Sequence, residues 1–361
     1  MRRSMDLPPP QLPPLPQPKA SRPWWRLAVG VLAIGVAIGI AGAYITVPYY
    51  TLGPGPAKDV EELIHVTGTQ RTYRSSGEFF LTTVAVSTRP VSLFEAFVGW
   101  LDPSVSLVGR DRLVRPGLTD EQQDQYNALD MEESKYSALL AALKALNINT
   151  PPRPGTRVIG VAQGFPAAGK LQEGDVIVAV DGRRVRGPEE AIKPIVAKRV
   201  GSRVTLEVLR GDRSITLSMR TVPSPLKDDN RRPVIGVRLA PAVRLPFDVT
   251  IDSQNIGGPS AGLAFALTIA DELTTEDLTR GHHVAVTGTI DPSGVVGLVG
   301  GVEFKVRAAE HEGADVFLAP TQEVAEAKKA ASSHLKVIGV ATLTDAIADL
   351  RSLAILAPSG R

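Results

Sequence analysis

The segment Gly257-Gly258-Pro259-Ser260-Ala261-Gly262 begins an apolar helical run, SAGLAFALTIADEL, that extends from Ser260 to Leu273. Glycines allow close backbone approach, and free N–H groups at the positive end of a helix can stabilise an anion. Ser260 would be well placed there as a nucleophile, with an oxyanion site built from neighbouring backbone N–H groups near Ser260 and Ala261. From the spacing alone, the simpler interpretation is that Ser260 caps the helix after a Gly-Pro turn.

A second motif lies about 40 residues further along the chain, where Gly300-Gly301 precedes a predicted helix, Val302–His311. Lys305 stands near the start of this helix among apolar residues. A lysine is ordinarily solvated, and its reference pKa of ~10.4 leaves little free amine at neutral pH. Burial in an apolar pocket, or a nearby helix N-terminus, would lower that pKa enough for Lys305 to act as a general base.

The chain around these two motifs alternates strands with helices, which predicts an α/β domain over residues 232–352. A domain of that size, about 120 residues, can bury its own core. The predicted elements are the strands Pro233–Ala242, Asp248–Ile251, Val284–Ile290, Val316–Ala319 and Val337–Val340, and the helices Ser260–Leu273, Val302–His311, Glu323–Ala331 and Thr344–Leu350.

The composition of the chain excludes several classes of function. Its 361 residues include 40 basic and 38 acidic side chains, a balance too even for a nucleic-acid binder driven by bulk positive charge. It has no cysteine, which excludes a thiol nucleophile, thiolate metal sites and disulfides. Its five histidines have no HExxH spacing, so we expect neither a catalytic metal nor another cofactor.

The amino-terminal part predicts a membrane anchor. Leu27–Val47 is 21 residues long and free of charge, long enough to span a hydrocarbon core of ~30 Å. Five basic residues and one acidic residue precede it, which by the positive-inside rule keeps the Pro-rich tail, residues 1–26, in the cytoplasm and the catalytic part outside the cell membrane. A cleaved signal peptide is the alternative, although the apolar stretch exceeds the usual length. Aromatic residues flank the span: Trp24, Trp25, Tyr44, Tyr49 and Tyr50.

Residues 48–154 are predicted to form a β-rich, membrane-proximal region with a helical insert. A strand is expected near Gly77–Ser87 and a helix over residues 120–146. No chemistry is evident in this region, and we expect it to act as a covering or spacer layer.

Residues 155–222 resemble a bacterial PDZ domain. The resemblance rests on the Pro-Ala-Ala turn at Pro166 and on GDVIVAVDG, which begins at Gly174 and ends in the tight Asp181-Gly182 turn. It implies a β-rich fold with a groove that takes an extended peptide as an added strand. The string GFPAAGK in this region lacks the Ser or Thr that would complete a nucleotide-binding P-loop.

Together, the two carboxyl-terminal motifs resemble the proteolytic domain of the Lon family of serine peptidases, over residues 233–350. The resemblance implies an α+β Lon-type domain in which Ser260 and Lys305 form the catalytic dyad and Thr287 hydrogen-bonds the lysine amine. The order of anchor, Thr82-Thr83-Val84 string, PDZ domain and Lon-type domain is similar to membrane-anchored, ATP-independent members. It implies polypeptide substrates and an oligomer, a ring of six by resemblance.

Two departures and three alternatives accompany this hypothesis. ATP-dependent members usually carry an acidic residue where Gly257 stands, and the AAA+ motor is absent from this sequence. A Ser-His-Asp triad using His282 or His283 is one alternative chemistry. A catalytically inert, membrane-tethered PDZ scaffold is a second alternative, and an ATP-dependent protease whose motor is a separate partner is a third.

Overall fold

The computed structural model describes residues 24–68, 70–102, 104–254 and 256–356. The predicted cytoplasmic tail lies outside these ranges, apart from its last three residues.

Nine α-helices occur in these ranges. They are α1 (Trp24–Tyr44), α2 (Leu93–Leu101), α3 (Arg110–Leu113), α4 (Asp120–Ala145), α5 (Pro188–Val196), α6 (Gly262–Glu272), α7 (Val302–His311), α8 (Val324–Ala330) and α9 (Leu343–Arg351). Short 3-10 turns cover Glu61–Leu63, Lys227–Asp229 and Thr321–Glu323.

Eighteen strands, several of only two residues, complete the described secondary structure. They are β1 (Tyr49–Asp59), β2 (Ile64–Thr67), β3 (Glu78–Val86), β4 (Ser106–Gly109), β5 (Pro152–Val161), β6 (Val176–Val180), β7 (Arg183–Arg184), β8 (Arg203–Arg210), β9 (Arg213–Arg220), β10 (Val222–Pro223), β11 (Pro233–Val234), β12 (Val237–Val243), β13 (Asp248–Ile251), β14 (His283–Val286), β15 (Thr289–Ile290), β16 (Val296–Gly297), β17 (Val316–Pro320) and β18 (Lys336–Val340).

The larger mixed sheet has the order β18-β17-β14-β3-β1-β4. Its carboxyl-terminal strands run parallel, β14 also pairs in parallel with β3, and β1 pairs antiparallel with both β3 and β4. The region between residues 48 and 109 therefore supplies half of the sheet that holds the carboxyl-terminal domain together. The expectation that residues 48–154 form a covering or spacer layer was wrong, because β1, β3 and β4 are strands of this sheet. Pairing between strands that are far apart in the chain leaves no local pattern in the sequence.

The second sheet has the order β12-β5-β6-β8-β9, with β7 paired to β6. The Asp181-Gly182 turn has φ values of 49° and 74°, the left-handed pair that a two-residue hairpin of this type requires. Strand β12 pairs with β5 across this sheet. The predicted strand Pro233–Ala242 is thus divided into β11 and β12, and neither pairs with the α/β sheet in which we expected it.

Helix α6 is the centre of the carboxyl-terminal core. All eleven of its residues are buried, and α4 packs along it. The predicted helix over residues 120–146 is confirmed by α4, whose buried residues are concentrated after Met131. Because α6 is buried on every side, the run after Ser260 is mostly apolar and has no polar face.

Helix α1 is long and apolar enough to cross a membrane, with a mean hydropathy of 2.2, and it is the one such helix in the described ranges. It includes Trp24, the first described residue, and ends at Tyr44 rather than at Val47. The chain leaves the helix there because Thr46 forms a bridge with Ser92 and the Val47 N–H donates to the Val91 carbonyl. These contacts are tertiary and could not be read from hydropathy.

Candidate active site

Ser260 lies in the turn before α6, one residue ahead of the helix N-cap, which is Ala261. The interpretation of Ser260 as the N-cap was therefore wrong. Gly258 makes this turn with φ at +88°, and its N–H donates to the Asn127 carbonyl on α4 at 2.8 Å. That N–H is already occupied, so Gly258 shapes the turn and its amide is not free to bind an oxyanion.

The backbone N–H groups of Ser260 and Ala261 differ from that of Gly258. Within the described ranges, no hydrogen-bond acceptor is assigned to either of them. They sit at the N-terminal end of a buried helix, where the dipole favours negative charge. The turn thus presents two donors beside the serine side chain.

Thr287 is brought to the serine turn by a break in the predicted strand Val284–Ile290. Strand β14 ends at Val286, and Gly288 follows with φ at +158°. The Gly288 N–H donates to the Ser260 carbonyl at 3.0 Å, and the Leu263 N–H donates to the Gly288 carbonyl at 3.0 Å. This pair of backbone bonds fixes the threonine against the start of α6.

Lys305 lies in the first turn of α7 and is 2% exposed. Its Nζ donates to the Thr287 Oγ1 at 3.0 Å. Burial lowers the pKa of the Lys305 amine from 10.5 to about 8, against the nearby negative charge of Glu323, which raises it. With a pKa near 8, about one amine in ten is neutral at pH 7. Burial, one of the two conditions named for lowering the pKa of this lysine, is therefore met in the structure.

Ser260 and Lys305 line the same cavity, which has a volume of about 590 Å³. Its other walls include strands β1 and β3 and the segment before α7, and Ala261 contributes as well. The predicted serine and lysine, 45 residues apart in the chain, thus line one cavity. Thr287 does not line it but accepts a hydrogen bond from the lysine amine. The lining residues that bear polar side chains are Lys58, Thr82, Thr83, Ser260, Thr289 and Lys305.

Two further residues of this site were missed as functional groups by sequence reasoning. Thr82 is 3% exposed, lines the cavity, and its Oγ1 has no hydrogen-bond partner among the described residues. It stands one residue beyond Leu81, which pairs with Val286 at the end of β14, and Thr287 is the residue after Val286, so the two threonines stand level where the parallel pairing ends. Glu323 accepts from the Val299 N–H at 3.0 Å and places a negative charge near Lys305. The Thr82-Thr83-Val84 string was the one signal in the sequence that pointed to Thr82, and the sequence analysis assigned it no catalytic role.

The two histidines proposed for an alternative triad lie outside this cavity. His282 uses Nδ1 to contact Asp315 and Nε2 to contact the Ala354 carbonyl. His283 packs edge-on against Phe80. Both therefore have structural contacts at the start of β14, the end of that strand opposite to Thr287.

A second groove, of about 280 Å³, lies between α5 and the strand segment Ile235–Leu239. Helix α4 closes one side of it with Tyr126 and Leu129. An apolar groove between a strand and a helix can receive an extended peptide as an added strand.

Two models of protein families match the chain, each over a different region. Residues 129–221 match the model of the PDZ domain, and residues 252–353 match that of the Lon protease C-terminal proteolytic domain. The chain contains a PDZ domain and a Lon-type proteolytic domain. The Lon-type match includes Ser260, Thr287 and Lys305 and supports a protease. With α1 before them, the two domains fit a membrane-anchored protein.

Individual relatives resemble a part of the chain. The magnetosome formation protease MamE of Magnetospirillum gryphiswaldense is 39% identical over 100 residues, which are 26% of this chain and 13% of that protein. The PDZ domains of SdrC-like proteins from Listeria monocytogenes and Listeria innocua are each 30% identical over 24% of this chain, with a TM-score of 0.22. These matches cover 88% and 92% of the two solved domains.

Proposed function

We propose that the protein is a membrane-anchored serine endopeptidase that hydrolyses peptide bonds with a Ser260–Lys305 dyad and without ATP. The observation that carries this proposal is a buried lysine amine, held by Thr287, in the same cavity as a serine that precedes a helix. Its substrates would be polypeptides, and no cofactor or metal takes part.

In the proposed mechanism, the neutral Lys305 amine takes the proton of the Ser260 hydroxyl while the serine oxygen attacks the scissile carbonyl. The backbone N–H groups of Ser260 and Ala261 stabilise the oxyanion. Collapse of the tetrahedral intermediate breaks the C–N bond, and the Lys305 ammonium protonates the leaving amine. The same amine then activates the water that hydrolyses the acyl-enzyme.

Thr82 has a part in this proposal. A neutral lysine amine has two N–H groups, and the ammonium formed after proton transfer has three. Thr287 accepts one, and the substrate leaving group or Ser260 takes the second. The Thr82 hydroxyl, level with Thr287 and without a partner in the described structure, would accept the third and stabilise the charged form.

The first test is hydrolysis of a fluorogenic peptide and of unfolded casein by the detergent-solubilised full chain, in the absence of nucleotide. Ser260→Ala should abolish turnover, and Ser214→Ala, an exposed serine of β9, should retain it. Hydrolysis that survives Ser260→Ala would overturn the dyad.

Covalent labelling separates the protease from an inert PDZ scaffold. A serine-reactive phosphonate should label the wild-type chain at Ser260 and fail to label Ser260→Ala, whereas an inert domain would remain unlabelled in both. Addition of ATP should leave turnover unchanged. A stimulation would favour the alternative of a separate motor partner.

Helix α4 supports a second element of the proposal, that the PDZ groove gates the active site. Tyr126 and Leu129 of α4 line the groove, while the Asn127 carbonyl between them binds the Gly258 N–H of the serine turn. About two turns further along α4, the Ser134 hydroxyl donates to the Pro259 carbonyl at 3.0 Å. A peptide that displaces this part of α4 would therefore move the turn that carries Ser260.

Gly257 lies at the same contact between the serine turn and α4, and it has no side chain. A Cβ at this position would meet the Asn127 Cβ at 3.1 Å, which is tighter than ordinary packing. We propose that α4 occupies the space that an acidic side chain uses in ATP-dependent members, so that the helix replaces that side chain as a control element.

Blocking the groove distinguishes gating from recruitment. Ile192→Arg on α5 should fill the groove, and Glu189→Arg, exposed on the same helix, is the matched control. Gating predicts a changed kcat for a short peptide that does not need the groove. A raised KM for casein with unchanged short-peptide kinetics would leave recruitment as the only role.

The remaining assignments are proposals of the same kind. We propose that α1 anchors the chain in the cell membrane with the amino terminus cytoplasmic, and that the chain assembles as a ring. We also propose the sequence-based domain limits 48–154, 155–222 and 232–352 as units of function, although their strands are interleaved in the two sheets.

A further inference from the structure

Helix α2 exposes an apolar surface directly beside the end of α1. Its sequence is LFEAFVGWL, and apart from Glu95 the side chains that face outward from it are aliphatic or aromatic. Trp100 is 74% exposed, and six large apolar residues of this nine-residue helix are exposed by nearly half or more: Leu93, Phe94, Phe97, Val98, Trp100 and Leu101.

Glu95 is the one charged residue of α2, and its side chain caps the start of the helix. Its carboxylate accepts from the Ser92 N–H at 2.7 Å in a capping box and pairs with Arg89 at 2.7 Å. The apolar surface is therefore not interrupted by a free charge on its own helix.

The opposite face of α2 rests on the larger sheet through a glycine. Gly99 is buried, and a Cβ there would contact the side chains of Leu107 and Thr51 at 3.6 and 3.7 Å. The small residue lets the helix lie close on β1 and β4. The bulky residues consequently point away from the protein.

Backbone contacts fix α2 at the level where α1 ends. The Leu93 N–H donates to the Ile45 carbonyl at 2.7 Å, and the Val47 N–H donates to the Val91 carbonyl at 2.9 Å. Gly42, inside the last turn of α1, approaches the Phe94 backbone closely, with its Cβ position 3.7 Å from the Phe94 nitrogen. Where α1 leaves a membrane, α2 must lie at its surface.

We propose that α2 is an interfacial helix whose apolar face is buried in the outer part of the bilayer that α1 crosses. The inference rests on the proposed anchoring by α1. Tryptophan, phenylalanine and leucine on one face of a short helix are the composition that binds at the lipid headgroup boundary. The occupant is lipid rather than a second copy, because the surface is continuous with the membrane-spanning helix.

The second contact with the bilayer has a mechanical consequence. A single spanning helix leaves a domain free to tilt and rotate, whereas α1 and α2 together fix β1 and β3 relative to the membrane plane. The catalytic cavity, which includes part of β3, is thereby held at a fixed height for polypeptide segments near the membrane surface.

Trp100 provides the first test, because the chain has three tryptophans and the other two are Trp24 and Trp25. The full chain with Trp24→Phe and Trp25→Phe is reconstituted in phosphatidylcholine vesicles with or without brominated acyl chains. We expect blue-shifted Trp100 emission that is mostly lost in brominated vesicles and is protected from acrylamide. Emission that is quenched by acrylamide but not by brominated lipid would overturn the proposal.

The cysteine-free chain provides a second measurement that does not depend on tryptophan. A spin label at Phe97→Cys should be more accessible to membrane-soluble oxygen than to an aqueous nickel chelate, and a label at Glu189→Cys, exposed on α5, should show the reverse. Oxidative cross-linking of Phe97→Cys between copies, with Trp100 unquenched by brominated lipid, would assign the surface to a second copy and overturn the proposal.

Alkaline carbonate extraction separates this inference from the proposals on which it rests. A chain that stays in the vesicles with an aqueous Trp100 would refute the interfacial helix alone. A chain that is extracted would refute the anchor and the interfacial helix together. Peptide hydrolysis measured in the same vesicles reports on the dyad independently of either result.

Discussion

The two ends of α6 both hold buried ionisable groups, but with different surroundings. At the amino end, Lys305 lies beside the serine turn, and burial lowers its pKa to about 8. At the carboxyl end, burial raises the pKa of Glu272 to about 8 and that of Asp271 to about 6. In each case loss of hydration is the main cause, and each group is displaced towards its neutral form.

The comparison teaches that a displaced pKa does not by itself identify an active site. The carboxyl end places Asp271 and Glu272 near further carboxylates such as Glu61, and Asp271 accepts from the Ser75 hydroxyl and the Leu278 N–H. The amino end adds a serine, two backbone donors that have no acceptor among the described residues, and a hydroxyl that holds the amine. The combination, rather than the shift in pKa, carries the proposed chemistry.

Removal of the Lys305 amine should have the largest effect on activity. We expect Lys305→Met to lower kcat/KM for the fluorogenic peptide by about 10³-fold or more, because the general base and the proton donor are both lost. Its control is Lys328→Met, an exposed lysine of α8, which should retain activity. Activity within tenfold of wild type would show that Lys305 is not the base.

The pH dependence of the reaction should report the lysine. Because the neutral amine is the active form, kcat/KM should rise about tenfold per pH unit below the pKa and level off above about pH 8. The measurement is a profile from pH 6 to about 10 on the wild-type chain, within the range where circular dichroism shows it folded. A profile that is flat from pH 6 to 9 would contradict a lysine base.

Substitutions of Thr82 test whether its hydroxyl stabilises the charged form of Lys305. We expect Thr82→Val to lower kcat by about tenfold and to shift the pH profile towards lower pH, because the ammonium loses an acceptor and its pKa falls. Thr82→Ser keeps the hydroxyl and should restore both properties. A loss of activity with no shift of the profile would show that Thr82 only supports the packing.

Removal of the lysine charge should also change stability. The folded-state pKa lies below the unfolded value of 10.5, so the unfolded chain binds more protons between about pH 8 and 10.5 and wild-type stability rises over that window. At pH 7 the folded state carries a buried charge that Lys305→Met removes. We expect urea unfolding at pH 7 to show a gain on the order of 2 kcal/mol for this variant. A loss of stability would mean that the Thr287 hydrogen bond outweighs the burial of the charge.

The smallest expected effect is at the other end of α6. The folded pKa of Glu272 lies above the ordinary value of 4.5, so the stability that its neutral form contributes is complete below pH 4.5 and is lost as the pH rises through about 8. Glu272→Gln should therefore gain stability relative to wild type as pH rises, on the order of 1 kcal/mol by pH 8 after solvent screening, with unchanged peptide hydrolysis. An equal effect at pH 4.5 and pH 8 would contradict burial as the cause.

The parts of this protein that could be predicted from its amino-acid sequence are those whose signals are local. The apolar length of α1, the helical runs of α4 and α7 and the hairpin turn at Asp181-Gly182 follow from hydropathy, periodicity and backbone preference. The serine and lysine motifs could be found because each is a short string in which glycines precede a reactive side chain. The family matches bear out the two domain types that these strings suggested.

Which of these parts come into contact depends on the packing of the whole chain and could not be predicted from local patterns. Strand β3 enters the sheet beside β14, about 200 residues later in the chain, and thereby sets Thr82 level with Thr287. Strand β12 joins the sheet of the PDZ domain, and α4 connects the groove to the serine turn. The burial that lowers the pKa of Lys305 is likewise a property of the whole packed core. Sequence encodes local preference, whereas pairing and desolvation depend on every element that closes around a residue.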